Sequence, residues 1–213
     1  MYGAEERDIE QIAEYADSSV RQMVRAGSLA PIVGRRGLNA WLYKKWGNRG
    51  NAIYTFVGGL LTIALSGALA WSLDEPLVFP SLGATAFLFF ETPMAEVASP
   101  RNTLIGHYTG AVVATLWLFA FGLQDNPSVL VEGFSAERAA AVALSVACTG
   151  GILRLLRAAH PPAGATTVIV SAGLLHTAPQ LAALAAGVAL LTLSAHVLNR
   201  LLGVPAPRWA SVR

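Results

Sequence analysis

The stretch that decides the fold is AHPPAGATT, residues 159–167. Two adjacent prolines stand inside a long apolar run and are followed at once by Gly164, Ala165, Thr166 and Thr167. Proline disfavours helical geometry at the residue before it. His160 and Pro161 are therefore expected to be extended, with Pro162 near the first position of a new helix, where its missing N–H costs nothing. The next amides, of Ala163, Gly164 and Ala165, then lack intrahelical acceptors. In hydrocarbon an unpaired amide costs several kcal/mol, so such a helix start must face protein, water or a ligand.

The rest of the chain supplies the hydrocarbon. Its 213 residues are 54% hydrophobic and 13% charged, with a mean hydropathy of +0.51. Soluble domains carry about 25% charged residues, so an Ala-rich soluble helical core is disfavoured and an integral membrane protein is indicated. Cys148 is the single cysteine, which excludes an intramolecular disulfide. The polar, charged N-terminus carries no short apolar segment of the secretory-signal kind. Residues 1–28 recur at helical spacing and read as an amphipathic helix outside the bilayer, against the alternative of a partly ordered tail. Residues 35–51 mix Arg35, Arg36, Lys44, Lys45 and Arg49 with Trp41, Tyr43 and Trp46. That mixture suits a membrane–water interface better than nucleic acid.

Six spans are expected near 52–73, 77–91, 104–123, 136–157, 161–175 and 179–202. The second and fifth, each interrupted by proline, are too short for upright crossings of about 30 Å. If all six cross, every one of the 15 basic residues but Arg138 falls on one side. The positive-inside rule then makes both termini cytoplasmic, in an inner (cytoplasmic) membrane. The organisation reads as an N-terminal interfacial region (1–51), a transmembrane domain (52–203) and a cytoplasmic tail (204–213).

The two short segments resemble each other. FPSLGATAFLFF (79–90) aligns without a gap on HPPAGATTVIVS (160–171) at an offset of 81. The same offset carries the first long span onto the fourth and the third roughly onto the sixth. The fold expected is all-α: two three-span repeats, inverted because an odd number of spans reverses orientation, with short broken helices at the second and fifth spans. Interrupted segments at equivalent places in two halves point to a transporter's midplane site; the alternative is that the prolines merely set helix packing. The helix dipole favours an anion at each broken start. The candidate set is His160, Pro161, Pro162, Ala163, Gly164, Ala165, Thr166 and Thr167 in one half, and Pro80, Ser81, Leu82, Gly83, Ala84 and Thr85 in the other.

HPPAGATT, with PSLGATAFLFF upstream and SPRNTLIGHYTGA (99–111) between, resembles the HPP family of integral membrane proteins over roughly residues 50–203. The resemblance implies nitrite transport, carried by His160 to Thr166 and by Pro80, Ser81, Gly83, Ala84 and Thr85, with Pro100, Arg101 and Asn102 in the connecting stretch. Some members add soluble CBS modules after the membrane part; none follows here, so nucleotide sensing is not implied.

Arg101, Asn102, Glu91 and His107 are candidates for a vestibule or for coupling, and proton coupling of the anion is an expectation with His160 as its candidate carrier. Each also has a plain role: Glu91 as an interfacial cap or partner of Arg101, Arg101 as an ordinary cytoplasmic charge, His107 and His196 as hydrogen-bonding helix residues. His160, beside the proposed anion site, changes charge near neutral pH, or else caps the broken helix. Gly58, Gly59, Gly67, Gly150 and Gly151 read as packing positions. No phosphate-binding loop, metal cluster or nucleophile constellation is visible, so an enzyme, a metal and a cofactor are not expected. The expected partners are the lipid bilayer, a small inorganic anion and further copies of the chain as a homodimer or larger assembly. Other readings are an anion channel of different selectivity, an intramembrane enzyme and a structural or sensory membrane protein.

Overall fold

The computed structural model describes residues 36–74 and 77–209, and all regular structure among them is helical. The amphipathic helix expected within 1–28 lies outside the described residues. In chain order the helices are α1 (Leu38–Trp46), α2 (Asn48–Leu73), α3 (Pro80–Glu91), α4 (Pro100–Ala120), the short α5 (Val129–Glu132), α6 (Ala136–Leu155), α7 (Pro162–Ser171) and α8 (Ala178–Leu201), with a 3₁₀ turn at Glu96–Ala98 before α4.

Four of these, α2, α4, α6 and α8, are long and apolar enough to cross a bilayer. Their outward faces carry large apolar side chains such as Phe56, Leu60, Leu116, Phe119 and Leu193, all exposed, as lipid-facing surfaces require. α3 has 12 residues and α7 has 10, about 18 and 15 Å at 1.5 Å per residue. Both are shorter than the hydrocarbon core, as expected from the prolines.

Capping sets the helix starts and moves two of them. Ser99 accepts from the Asn102 amide with Pro100 at the first turn. α4 therefore begins at Pro100 rather than 104, and the SPRN stretch is helix rather than connector. α2 begins at Asn48, so part of the expected interfacial region is continuous with the first long helix. Ser135 caps α6 through the Arg138 amide, and Thr177 and Gln180 form a capping box at α8. α6 stops at Leu155, and Arg157 beyond it has a left-handed φ of 50°.

The helices recur as long–short–long in each half. Exchanging α2 with α6, α3 with α7 and α4 with α8 leaves the packing pattern unchanged. α2 packs on α3 as α6 packs on α7; α4 packs on α6 as α8 packs on α2; α4 packs on α7 as α8 packs on α3. The pairs α3 with α7 and α4 with α8 map onto themselves. The main core lies where these four meet, around Leu82, Ala86, Ala114, Leu118, Val188 and Leu191.

One end of the bundle is joined by Leu38 N–H donating to Leu202 O and by Arg101 N–H donating to Trp209 O. At the other, Val129 N–H donates to Ala172 O, and the Arg138 guanidinium reaches Pro127 O and Ser171 O. The segment after α8, expected as a tail, packs back: Val204 and Ala206 are buried with Tyr54, Phe89 and Phe90.

Of the glycines expected at close approaches, only Gly58 is tight, against the Phe90 ring; Gly59, Gly67, Gly150 and Gly151 face open space within the chain. Two further close approaches fall at Gly106 and Gly110 on α4. A Cβ at Gly106 would stand 2.9 Å from His160 Cβ, and one at Gly110 2.6 Å from Thr167 Oγ1. α4 thus bears directly on the His-Pro-Pro turn and on α7. The reason is steric: small residues four apart let two backbones close up without intervening side chains.

Candidate functional site

The first turns of α3 and the start of α7 lie against each other, α4 packs along α7, and the His107 side chain reaches Thr85 on α3. Ser81 and Thr85 come from α3, His107 from α4, His160 from the turn before α7 and Thr166 from α7. All five are buried, four of them completely and His160 with 2% exposure. They form one hydrogen-bonded cluster. Thr166 Oγ1 lies 2.9 Å from Ser81 Oγ and 2.7 Å from His107 Nδ1. His107 Nε2 lies 2.9 Å from Thr85 Oγ1 and 3.1 Å from His160 Nε2. Thr85 Oγ1 is also 3.2 Å from His160 Nε2, and it donates to Ser81 O at 3.0 Å. His160 Nδ1 donates to Val97 O at 2.7 Å, because a carbonyl oxygen only accepts. The two imidazole rings meet edge to face, with centroids 4.9 Å apart.

Burying five polar side chains among apolar helices costs free energy unless each finds a partner. Here they find one another. No carboxylate takes part in these hydrogen bonds. Among the described residues, no group of three or more His, Cys, Asp or Glu side chains is placed to hold a metal.

The helix starts themselves differ from expectation. Pro161 takes helical angles, φ −52° and ψ −37°, rather than an extended conformation. This closes a 3₁₀-like turn in which Ala163 N–H donates to His160 O and Gly164 N–H to Pro161 O, both at 3.0 Å. On α3, Phe79 is extended, yet Leu82 N–H still finds Phe79 O at 2.9 Å. Several amides expected to be free are thus satisfied locally, and the groups that converge at the centre are side chains instead.

The other sequence candidates sort by helix face. Gly83 and Gly164 meet open space, and Pro80, Ala84, Pro161 and Ala165 are exposed on the outer side. Leu82, Pro162 and Ala163 are buried packing residues. Thr167 Oγ1 donates to Ala163 O and lies 3.3 Å from Thr149 Oγ1 on α6, away from the histidines. Glu91 is exposed at the end of α3.

Arg101 and Asn102 hold the turn that carries His160. The Arg101 guanidinium donates to Leu156 O and Arg157 O, each at 3.0 Å, and Asn102 Nδ2 donates to Ala159 O at 3.2 Å. A cation is well placed there, because the last carbonyls of α6 lack helical partners and carry the negative end of its dipole. Arg101 is therefore committed to the backbone rather than standing free in a vestibule.

Between α6 and α7 a cleft of about 280 Å³ is lined by Thr149, Gly150, His160, Pro161 and Gly164. It shares Leu153, Arg154 and Ala159 with an outer cleft of about 330 Å³ that also carries Glu96 and Arg157. Arg154 and Arg157, both exposed, thus flank the approach to His160. These two arginines and Thr149 were missed in the sequence. The one available signal for His107 was its position beside Gly106, with Gly110 one turn on.

The model of the family described as "HPP, transmembrane region" matches residues 44–207. The chain is also similar to two transmembrane proteins of Dictyostelium discoideum. It is 29% identical to one over 115 residues, covering 54% of this chain and 34% of the relative. It is 28% identical to the other over 119 residues, covering 56% and 38%. The chain thus spans little more than a third of the length of these curated relatives. No solved structure matches the chain.

Proposed function

The chain belongs to the HPP family of transmembrane proteins, and from that premise we propose that it carries a small inorganic anion across the bilayer, with nitrite the first substrate to test. The observation that carries this reading is the cluster of Ser81, Thr85, His107, His160 and Thr166. It lies where the two short broken helices meet, it offers hydroxyl and imidazole hydrogens, and it includes no carboxylate. Donors without acidic neighbours favour an anion over a cation. The cleft beside His160 is the approach: Arg154 and Arg157 outnumber Glu96 at its outer part, and net positive charge raises the local anion concentration.

In this reading α2–α4 and α6–α8 are inverted repeats, and the anion binds between α3 and α7 near the midplane. The packing pattern that survives exchange of the halves supports it, as do broken helices at matched positions. Both termini are cytoplasmic in an inner membrane, the protein works without enzymatic chemistry, and it assembles as a homodimer or larger. Binding replaces contacts within the closed cluster, so transport requires α3 and α7 to part. A second reading has its own support: every side chain of the cluster already has a partner, which suits a static clasp in a structural or sensory protein.

Uptake of labelled nitrite into proteoliposomes, with nitrate, formate and chloride as competitors and protein-free vesicles subtracted, separates the two. Saturable uptake is expected. Uptake no faster than in the bare vesicles would overturn transport of nitrite.

A further inference from the structure

We propose that His107 and His160 bind a single proton between them, held by their facing Nε2 atoms, and that Thr166 and Ser81 reverse their hydroxyls when it leaves. The proposal rests on the transport reading and deepens it by adding a unit that takes up a proton with the anion, and its test includes a readout independent of flux.

His160 Nδ1 must carry a hydrogen, because Val97 O only accepts. The Thr85 hydroxyl hydrogen goes to Ser81 O, so Thr85 Oγ1 faces both imidazoles as an acceptor. A neutral His160 therefore presents a bare Nε2 to His107 Nε2, 3.1 Å away. Two arrangements satisfy the remaining atoms. In the neutral one, Ser81 donates to Thr166, Thr166 donates to His107 Nδ1, and His107 Nε2–H points at His160 Nε2 and Thr85. In the charged one, both Nδ1 atoms carry hydrogens, toward Thr166 Oγ1 and Val97 O. One further hydrogen lies between the two Nε2 atoms, and Thr166 donates to Ser81. The hydroxyl rotors permit either direction. A neutral cluster with hydrogen on both Nδ1 atoms is excluded, because two lone pairs would face each other at 3.1 Å.

The two arrangements differ by one proton. On release, His107 Nδ1 passes its hydrogen to Thr166, Thr166 passes its own to Ser81, and Ser81 gives one up to water admitted as α3 and α7 part. The pair goes from one positive charge to none. Its surroundings do not neutralise that charge by contact. α3 offers Ser81 and Thr85, and α7 offers Thr166. On α4, Arg101 is turned to the carbonyls of Leu156 and Arg157. The turn before α4 carries exposed Glu96, α6 carries exposed Arg154, and the turn after α6 carries exposed Arg157. A charge kept in a bundle of apolar helices needs a partner, and an anion in the cleft beside His160 supplies it. Proton and monovalent anion then bind together.

The test is nitrogen NMR of the full chain in lipid nanodiscs, with labelled histidine and with His176 and His196 assigned by substitution. On raising the pH, the expected result is one common transition in which His107 moves its hydrogen from Nδ1 to Nε2 while His160 keeps its Nδ1–H. Thr166→Val should abolish that tautomer exchange, and His160→Gln should remove the shared Nε2 signal. A single His107 tautomer throughout the wild-type titration, or two independent transitions, would overturn the proposal even if neither variant folds. If the common transition is present but vesicles show no nitrite uptake, the transport reading falls and the proton site stands. If Thr166→Val keeps both uptake and its pH dependence, the proton site falls and transport stands.

Discussion

Thr85 and Thr166 hold the two ring nitrogens of one histidine. They occupy matched positions in the two broken helices, 81 residues apart. Thr85 Oγ1 lies 2.9 Å from His107 Nε2, and Thr166 Oγ1 lies 2.7 Å from His107 Nδ1. A residue of α4 is thereby shared between the halves, and the relative position of α3 and α7 is tied to one side chain.

Thr166→Val keeps the shape but leaves His107 Nδ1 buried without its partner. A lost partner of this kind costs about 1–3 kcal/mol, read as a lower midpoint of thermal unfolding in nanodiscs. In a double-mutant cycle, Thr166→Val and His107→Leu together should cost less than the sum of the two alone. Simple additivity would mean that the contact is energetically idle.

Glycine substitutions should divide by face. Gly106→Ala drives a methyl against His160 Cβ, and Gly110→Ala drives one against Thr167 Oγ1. Overpacking of this sort costs about 1–3 kcal/mol, and it should also disturb the histidine pair. Gly83→Ala and Gly164→Ala meet open space and should be neutral or stabilising, because alanine is the better helix former by about 1 kcal/mol. Thermal unfolding of the four variants checks the order. A Gly164→Ala as damaging as Gly106→Ala would refute the assigned faces.

The arginines should separate into anchors and guides. Arg101→Ala frees the carbonyls of Leu156 and Arg157. It should raise amide exchange across residues 158–164 and lower stability by about 1.5–3 kcal/mol per lost charged hydrogen bond at most. Arg101→Lys should restore little, because one ammonium does not reproduce the planar fork. Arg154→Ala and Arg157→Ala should leave stability within about 0.5 kcal/mol. In the transport reading they weaken apparent anion affinity, most at low salt. Equal stability losses in all three would remove the distinction.

Orientation is checked with single cysteines in a Cys148→Ser background. Glu132, at the end of α5, and Arg208, beyond α8, lie toward opposite ends of the bundle. A cysteine at 132 should react with an impermeant reagent added outside intact cells. One at 208 should react only after the membrane is opened. The reverse pattern would invert the topology; reaction of both from one side would refute the six-crossing path.

The broken helices were legible in the chain because proline and glycine act on their own neighbourhoods. Pro80 and Pro162 start helices wherever they stand, and an uncharged run announces a long apolar helix by composition alone. His160 could be singled out for the same reason, since it touches the break. Whether the amides after it were free could not be read locally. Pro161 chose helical angles and closed its own turn, within limits that its ring allows equally well. The role of His107 came only with tertiary structure. Its partners lie 22, 53 and 59 residues away in sequence. They meet because Gly106 and Gly110 let α4 approach the His-Pro-Pro turn, a matter of which helix face turns inward. Arg101 shows the same limit: its charge was plain in the sequence, but its service to the carbonyls ending α6 depended on bringing residues 101 and 156–157 to one end of the bundle. Local chemistry decides where a helix can break; long-range packing decides which side chains the break brings together.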